Sequence, residues 1–281
     1  MGKLKDEMLM EMELRNMSPK TIAAYLGHMV CFTRHFGKSP DAMGEEEVRQ
    51  YLYYLLKEKR VSWSNINIGY SALKFFYTRV LHRNWNVDHI PRPRKQKRLP
   101  HVLSYSELAR LFEVTTNLKH RLIFKTAYGG GLRVSEVCCL RVSDIDSHRM
   151  TIRINQGKGR KDRYTLLAQS LLPELRDYYR TYRPKSWLFP GASKDRPINS
   201  GTIQHVFKVS KQKANIHKPV TPHTLRHSFA THFLEAGGNL MKLQQLLGHR
   251  HLQTTILYVH IQSKELSRVI SPLDFMNGDR S

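Results

Sequence analysis

The chain has 281 residues, of which 40% are apolar, and carries 46 Lys and Arg against 23 Asp and Glu, for a formal net charge of +23 and a pI near 10.1. That length accommodates two domains of ordinary size, and that apolar share excludes a chain too polar to build a core. The cations are spread along the whole chain rather than gathered on one amphipathic helix, which points to a long polyanion and away from a membrane surface.

Residues 1–82 read as helical throughout and form a predicted small helical bundle. Ser18-Pro19 is a helix start, a capping hydroxyl followed by proline at the first helical position. Ile22, Tyr25, Leu26, Met29 and Phe32 then share one face. Val48, Tyr51, Leu52, Leu55 and Leu56 repeat the spacing, and Leu73, Phe76, Tyr77, Val80 and Leu81 repeat it again. The aromatic residues of these stripes are expected to be bundle core rather than base-stacking platforms. Residues 83–100 break the pattern: Arg92, Arg94, Lys95, Lys97 and Arg98 stand between prolines, so an extended basic linker is expected, and the net charge favours its lying along a DNA backbone over a solvated tether.

Residues 101–281 read as a mainly helical second domain. Ser104 to Glu107 is a capping box ahead of Leu108, Leu111 and Phe112. A helix through Leu122 and Ile123 should stop at Gly129-Gly130-Gly131, with another beginning near Arg133. Met150, Ile152 and Ile154 alternate with polar residues before Gly157-Lys158-Gly159, which predicts a β-hairpin with a basic tip carrying Lys158, Lys161 and Arg163. Helices resume near Ser170 and after Thr221-Pro222, and Gly237-Gly238 and Gly248 end two more. The fold class expected is mainly α with a small antiparallel β-sheet (α+β).

Candidate chemistry lies in this second half. His223 and Arg226, three apart at a helix start, place a proton-carrying group beside a fork that matches phosphate oxygens. Alone, the pair fits equally a surface histidine beside a structural arginine. Arg133 is a second phosphate-binding candidate, with Glu136 placed to orient it; a simple ion pair at a helix start has the same signature. Lys158 on a hairpin tip could enter a groove or stay solvated. His249 is expected at an exposed corner after Gly248. Tyr258 is expected to be positionable, with Ile256 and Leu257 burying one side of its segment, although a core tyrosine reads the same way. His223 and His227 have the spacing of two metal ligands on a helix, but no carboxylate follows before Glu235, so no metal is expected. Cys31, Cys138 and Cys139 form neither a disulfide framework nor a metal motif and read as buried thiols.

Taken in order, GLRVSE, GKGRKDR, PHTLRHSFATH and LLGHRHLQTTILYVH resemble the catalytic signature of the tyrosine recombinases, and Leu188-Phe189-Pro190 matches a recurrent feature of that family. The resemblance runs from about Ser104 to His260, with the first half similar, more loosely, to the family's core-binding domain. It implies that Arg133 and Arg226 bind the scissile phosphate, Tyr258 is the nucleophile, Lys158 protonates the leaving oxygen, His223 and His249 assist, and Glu136 supports the arginines. No cofactor is implied. The implied partner is double-stranded DNA with short inverted-repeat core sites, bound by a homotetramer that is a monomer or weak oligomer when free. Residues 264–274 resemble the tail of integron integrases and mobile-element recombinases, which docks on a neighbouring protomer; packing back on its own domain is the alternative. Residues 191–221 are too few to hold the extra helical insertion of the integron enzymes. A type IB topoisomerase uses a similar Arg, Lys, Arg, His and Tyr set; a DNA-binding accessory protein with a dead active site is the other alternative, and the intact set of six residues argues against it. No stretch approaches the ~20 apolar residues that span a bilayer, and the opening residues lack a signal-peptide core. A prokaryotic cytoplasmic, nucleoid-associated protein is therefore expected.

Overall fold

The computed structural model describes residues 2–86, 90–92, 99–155, 162–249 and 251–259. The chain divides into two compact units, Met1–Arg98 and Leu99–Ser281.

The first unit is a bundle of α1 (Gly2–Leu14), α2 (Pro19–Phe36), α3 (Glu45–Lys57) and α4 (Trp63–Phe75), the last continued by a wider π-type turn over Phe76–Val80. Local chemistry sets the boundaries. The Ser18 side chain accepts from the Thr21 backbone amide, Pro19 occupies the first turn, and Gly37 closes α2 at φ 65°, where a side chain would be strained. Met8 and Met12 of α1 pack with Met29, Phe32, Tyr51, Leu55, Ile66, Tyr70, Leu73, Phe76 and Tyr77. Phe32 meets Tyr51 edge-on at 5.2 Å, so the aromatic stripes are core. Ile22, Tyr25 and Leu26 are only partly buried at its margin.

The second unit begins with the Ser104 capping box of α5 (Tyr105–Glu113), whose hydroxyl accepts from Glu107 N while the Glu107 carboxylate accepts from Ser104 N. Helix α6 (Leu118–Gly129) ends at the glycine run, and α7 (Val134–Cys138) follows it. Strands β1 (Ile145–Asp146), β2 (Thr151–Ile154) and β3 (Arg163–Leu166) form an antiparallel sheet in sequence order, with Ile154 opposite Arg163. Then come α8 (Leu171–Tyr182), α9 (Ser200–Lys213), α10 (Pro222–Glu235), α11 (Leu240–Leu247) and the short α12 (Gln253–Ile256). Helix α9 is the single helix in the interval 191–221. The fold is thus mainly helical with one small sheet, as the sequence predicts. Among the described residues, no helix is long and apolar enough to cross a membrane.

Helix α10 organises this unit. Leu225 joins the main core with Leu122, Ile123, Ile152 and Phe189, while Phe229, Ala230 and Leu234 form a smaller cluster with Leu243, Leu247 and Tyr258. Gly131 shows why the turn after α6 must be glycine. Its φ is +62°, and a Cβ there would lie 2.4 Å from the Phe229 ring. That close approach presents the Gly131 carbonyl to α10.

The cysteine expectation is corrected. Only Cys138 is buried; Cys31 and Cys139 are exposed. Cys31 falls off the Met29–Phe32 face of α2, and Cys139 caps the end of α7.

Candidate active site

Glu136 is the centre of the site. It lies in the first turn of α7, where its carboxylate accepts from the Arg133 backbone amide at 2.8 Å and from Arg133 Nη1 at 2.6 Å. Arg163, from β3, forks onto both of its oxygens at 2.9 and 2.8 Å. Arg226 Nη1 stands 3.8 Å away. Burial alone would push the Glu136 carboxyl up, but the hydrogen bonds and charge of Arg163, with those of Arg133, outweigh it and hold the group at about 2. Three guanidiniums against one carboxylate leave a local charge of +2, which suits an anion. The Arg133 side chain is 21% exposed and Arg163 only 11%, so Arg133 is the more open of the two.

Arg226 is 1% exposed. Its Nη1 donates to Gly131 O at 2.8 Å, and its Nη2 donates to Leu247 O at 2.6 Å and meets His249 Nε2 at 3.0 Å. Burial, with Arg133 nearby, lowers its pKa to about 10, so it stays charged at neutral pH. A guanidinium has no acceptor, so His249 Nε2 must accept this bond. His249 is therefore neutral with its proton on Nδ1, which donates to Thr255 Oγ1 at 3.0 Å. Burial and the charges of Arg226 and Arg133 agree with that state, holding His249 at about 3. The expectation of an exposed corner is corrected: His249 is half-buried, because Arg226 and Thr255 grip its two nitrogens.

Tyr258 is 3% exposed and packs on Leu243 and Leu247. Its ring stacks on His249 at 6.3 Å, and its hydroxyl lies 2.9 Å from His227 Nδ1. Burial pushes its pKa up against the opposing charges of Arg226 and Arg133. Ile256 and Leu257 are only partly buried; Thr255 and Tyr258 themselves turn inward, contrary to expectation. His223 lies at the solvent edge of α10, its ring edge-on to His227 at 4.7 Å. Crowding by its neighbours and the charges of Arg226 and Arg133 lower its pKa.

The structure thus brings Arg133, Glu136, Arg226, His249 and Tyr258 together, with His223 at the edge. Lys158, Lys161, Arg94, Lys95, Lys97 and Arg98 lie outside the described residues. Arg92 donates from Nε to Asn67 Oδ1 at 3.1 Å and covers the Tyr70 ring. Arg163 is a correction. Expected to face DNA, its fork is closed on Glu136 and its Nε donates to Leu246 O at 2.9 Å. The residue that sequence reasoning missed is His227, considered only as a metal ligand; its contact with Tyr258 spans 31 positions and leaves no local signal. Among the described residues, no cluster of three His, Cys, Asp or Glu could hold a metal ion.

An anion clamp with imidazoles and a phenol beside it is a set that can transfer a phosphoryl ester to tyrosine. Comparison with known proteins agrees. Residues 101–265 match the phage integrase family, and residues 4–87 match the phage integrase N-terminal SAM-like domain. A Sinorhizobium fredii protein named as an integrase/recombinase is 42% identical over 277 residues, covering 98% of this chain and 90% of its own. The tyrosine recombinase XerA of Pyrococcus furiosus is 35% identical over 286 residues, covering 98% and 96%. A lambda integrase(75–356) dimer bound to a COC′ core site superposes with a TM-score of 0.75, over 92% of this chain and 94% of that one; at 19% identity the likeness is one of fold.

Proposed function

The chain belongs to the phage integrase family of tyrosine recombinases, and from that premise we propose that it cuts and rejoins double-stranded DNA at short inverted-repeat core sites, with Tyr258 as nucleophile. The observation that carries this reading is the convergence of Arg133, Arg226, His249 and Tyr258 around Glu136.

Arg133 and Arg226 hold the non-bridging oxygens of the scissile phosphate and offset the charge that grows in the transition state. The Tyr258 oxygen attacks phosphorus in line, leaving a 3′-phosphotyrosine and a free 5′-hydroxyl. Lys158 supplies the proton to the leaving oxygen, His223 and, once Nε2 exchanges its bond to Arg226 for the phosphate, His249 hydrogen-bond the phosphate and assist proton transfer, and the basic linker tracks the DNA backbone. The ester bond is conserved in the protein link, so the reaction needs no nucleotide and no cofactor. Each inverted-repeat site binds two protomers, so exchange between two sites calls for a homotetramer, which residues 264–274 would join. The protein works on chromosomal or mobile-element DNA in a prokaryotic cytoplasm, associated with the nucleoid.

The test is a nicked suicide substrate carrying the protein's own site. Wild type should form a covalent protein–DNA adduct, and Tyr258→Phe should bind equally well and form none. Wild type that binds without any adduct would identify a DNA-binding accessory protein instead. Relaxed plasmid circles without exchanged sites would identify a topoisomerase.

A further inference from the structure

The contact between Tyr258 and His227 has no part in the mechanism above, yet it involves the reacting oxygen itself. A buried phenol needs an acceptor for its proton, and His227 Nδ1 lies 2.9 Å from the hydroxyl. His227 can accept: burial, His223 and Arg226 hold it at about 4, so at neutral pH it is uncharged. A neutral imidazole with its proton on Nε2 leaves Nδ1 as the acceptor. His249 cannot take this role in the same arrangement, because its Nε2 accepts from Arg226 and its Nδ1–H donates to Thr255.

We propose that His227 is the general base of the cleavage step, taking the Tyr258 proton on Nδ1 as the phenol oxygen attacks phosphorus. The inference rests on Tyr258 being the nucleophile. The balance is complete. The O–H bond of Tyr258 breaks and an N–H bond forms at Nδ1; the tyrosyl O–P bond forms as the P–O5′ bond breaks, and the 5′ oxygen is protonated separately. Rejoining reverses each step, with His227 returning its proton to the departing phenol oxygen.

The surroundings make this base depend on substrate. The groups that face His227 are His223 and Arg226 on its own helix, with Tyr258 and His249 opposite. A phosphodiester bound by Arg226 places a negative charge that offsets the guanidinium and raises the basicity of His227. Without DNA the histidine is a poor base and the tyrosine stays protonated. With DNA the imidazolium that forms is stabilised by the negatively charged phosphorane.

The experiment is single-turnover cleavage of the suicide substrate at saturating DNA from pH 5 to 9, comparing wild type with His227→Asn and His227→Ala. Asn keeps an acceptor near the position of Nδ1 but cannot take a proton. Wild type should show an acid limb that levels off. The Asn variant should bind DNA as wild type does, cleave about 100-fold more slowly, in the range general bases supply, and rise with pH throughout. Added imidazole should restore part of the His227→Ala rate. A wild-type rate and profile in His227→Asn, or faster cleavage in either variant, would overturn the proposal and make the contact a mere latch. Where the variants do not fold, wild type alone decides on a substrate with a 5′-bridging sulfur, whose leaving group needs no proton. The acid limb must persist there, and its loss would overturn the assignment. A wild-type protein that forms no adduct would instead defeat the reading of Tyr258 itself.

Discussion

Arg163 closes a two-pronged bond on Glu136, 27 positions earlier in the chain, while its Nε ties the same side chain to the carbonyl of Leu246. One guanidinium thus fastens the loop end of the β-hairpin to α7 and to the end of α11, beside His249.

Arg163→Ala should therefore destabilise the second domain by about 3 kcal/mol, since it removes the two-pronged partner of a carboxylate that is largely out of water and leaves it Arg133 alone as a hydrogen-bonding partner. Urea denaturation checks this. Arg163→Lys should recover only part, because a point charge cannot make the fork. The slope of DNA affinity against salt should not change, because the side chain is engaged within the protein; a shallower slope would restore Arg163 as a phosphate contact.

Glu136 makes the domain acid-sensitive with a definite sign. Its folded pKa, about 2, lies below its ordinary 4.5, so its contribution is complete above pH 4.5 and lost as pH falls towards 2. The shift corresponds to about 3 kcal/mol. Glu136→Gln should be less stable than wild type at pH 7, and the gap should close on acidification. Denaturation at a series of pH values measures it; a constant gap would refute the assignment.

Thr255→Val keeps the shape of a fully buried side chain and removes the acceptor of the His249 Nδ1 proton. Arg226 still fixes the tautomer, but the Nδ1 proton loses its partner and the ring its second anchor, so single-turnover cleavage should fall about tenfold, the worth of one hydrogen bond, while DNA binding holds. Thr255→Ser should return most of the rate.

Gly131→Ala meets both a left-handed backbone and the Phe229 ring at 2.4 Å. A cost of about 2–4 kcal/mol is expected. Any folded fraction should cleave poorly, since the displaced carbonyl is the one that receives Arg226. Thermal melting and adduct formation read the two effects separately.

What the sequence revealed was what short-range chemistry dictates. The Ser18 cap, the Ser104 box and the Met150–Ile154 alternation each rest on neighbours within a few residues, and all produced the elements expected. The Arg133–Glu136 pair was legible for the same reason. Arg163 and His227 were not, because their partners lie far along the chain and only the packed domain supplies them. A basic residue near a hairpin tip looks alike whether it meets a phosphate or a buried glutamate. Tyr258 also proved more enclosed than its polar segment suggested, since Thr255 turns inward with it.

The pairing of Ile154 with Arg163 has a consequence for quality control. Side chains alternate across a strand, so slipping this ladder by one residue would turn Arg163 outward and leave Glu136 short of its strongest partner. Such a misassembled copy would lack an ordered phosphate pocket while the bundle of the first unit, with its separate core, stayed intact. An error in one short hairpin would therefore give an inert protein rather than an enzyme that breaks DNA and fails to reseal it.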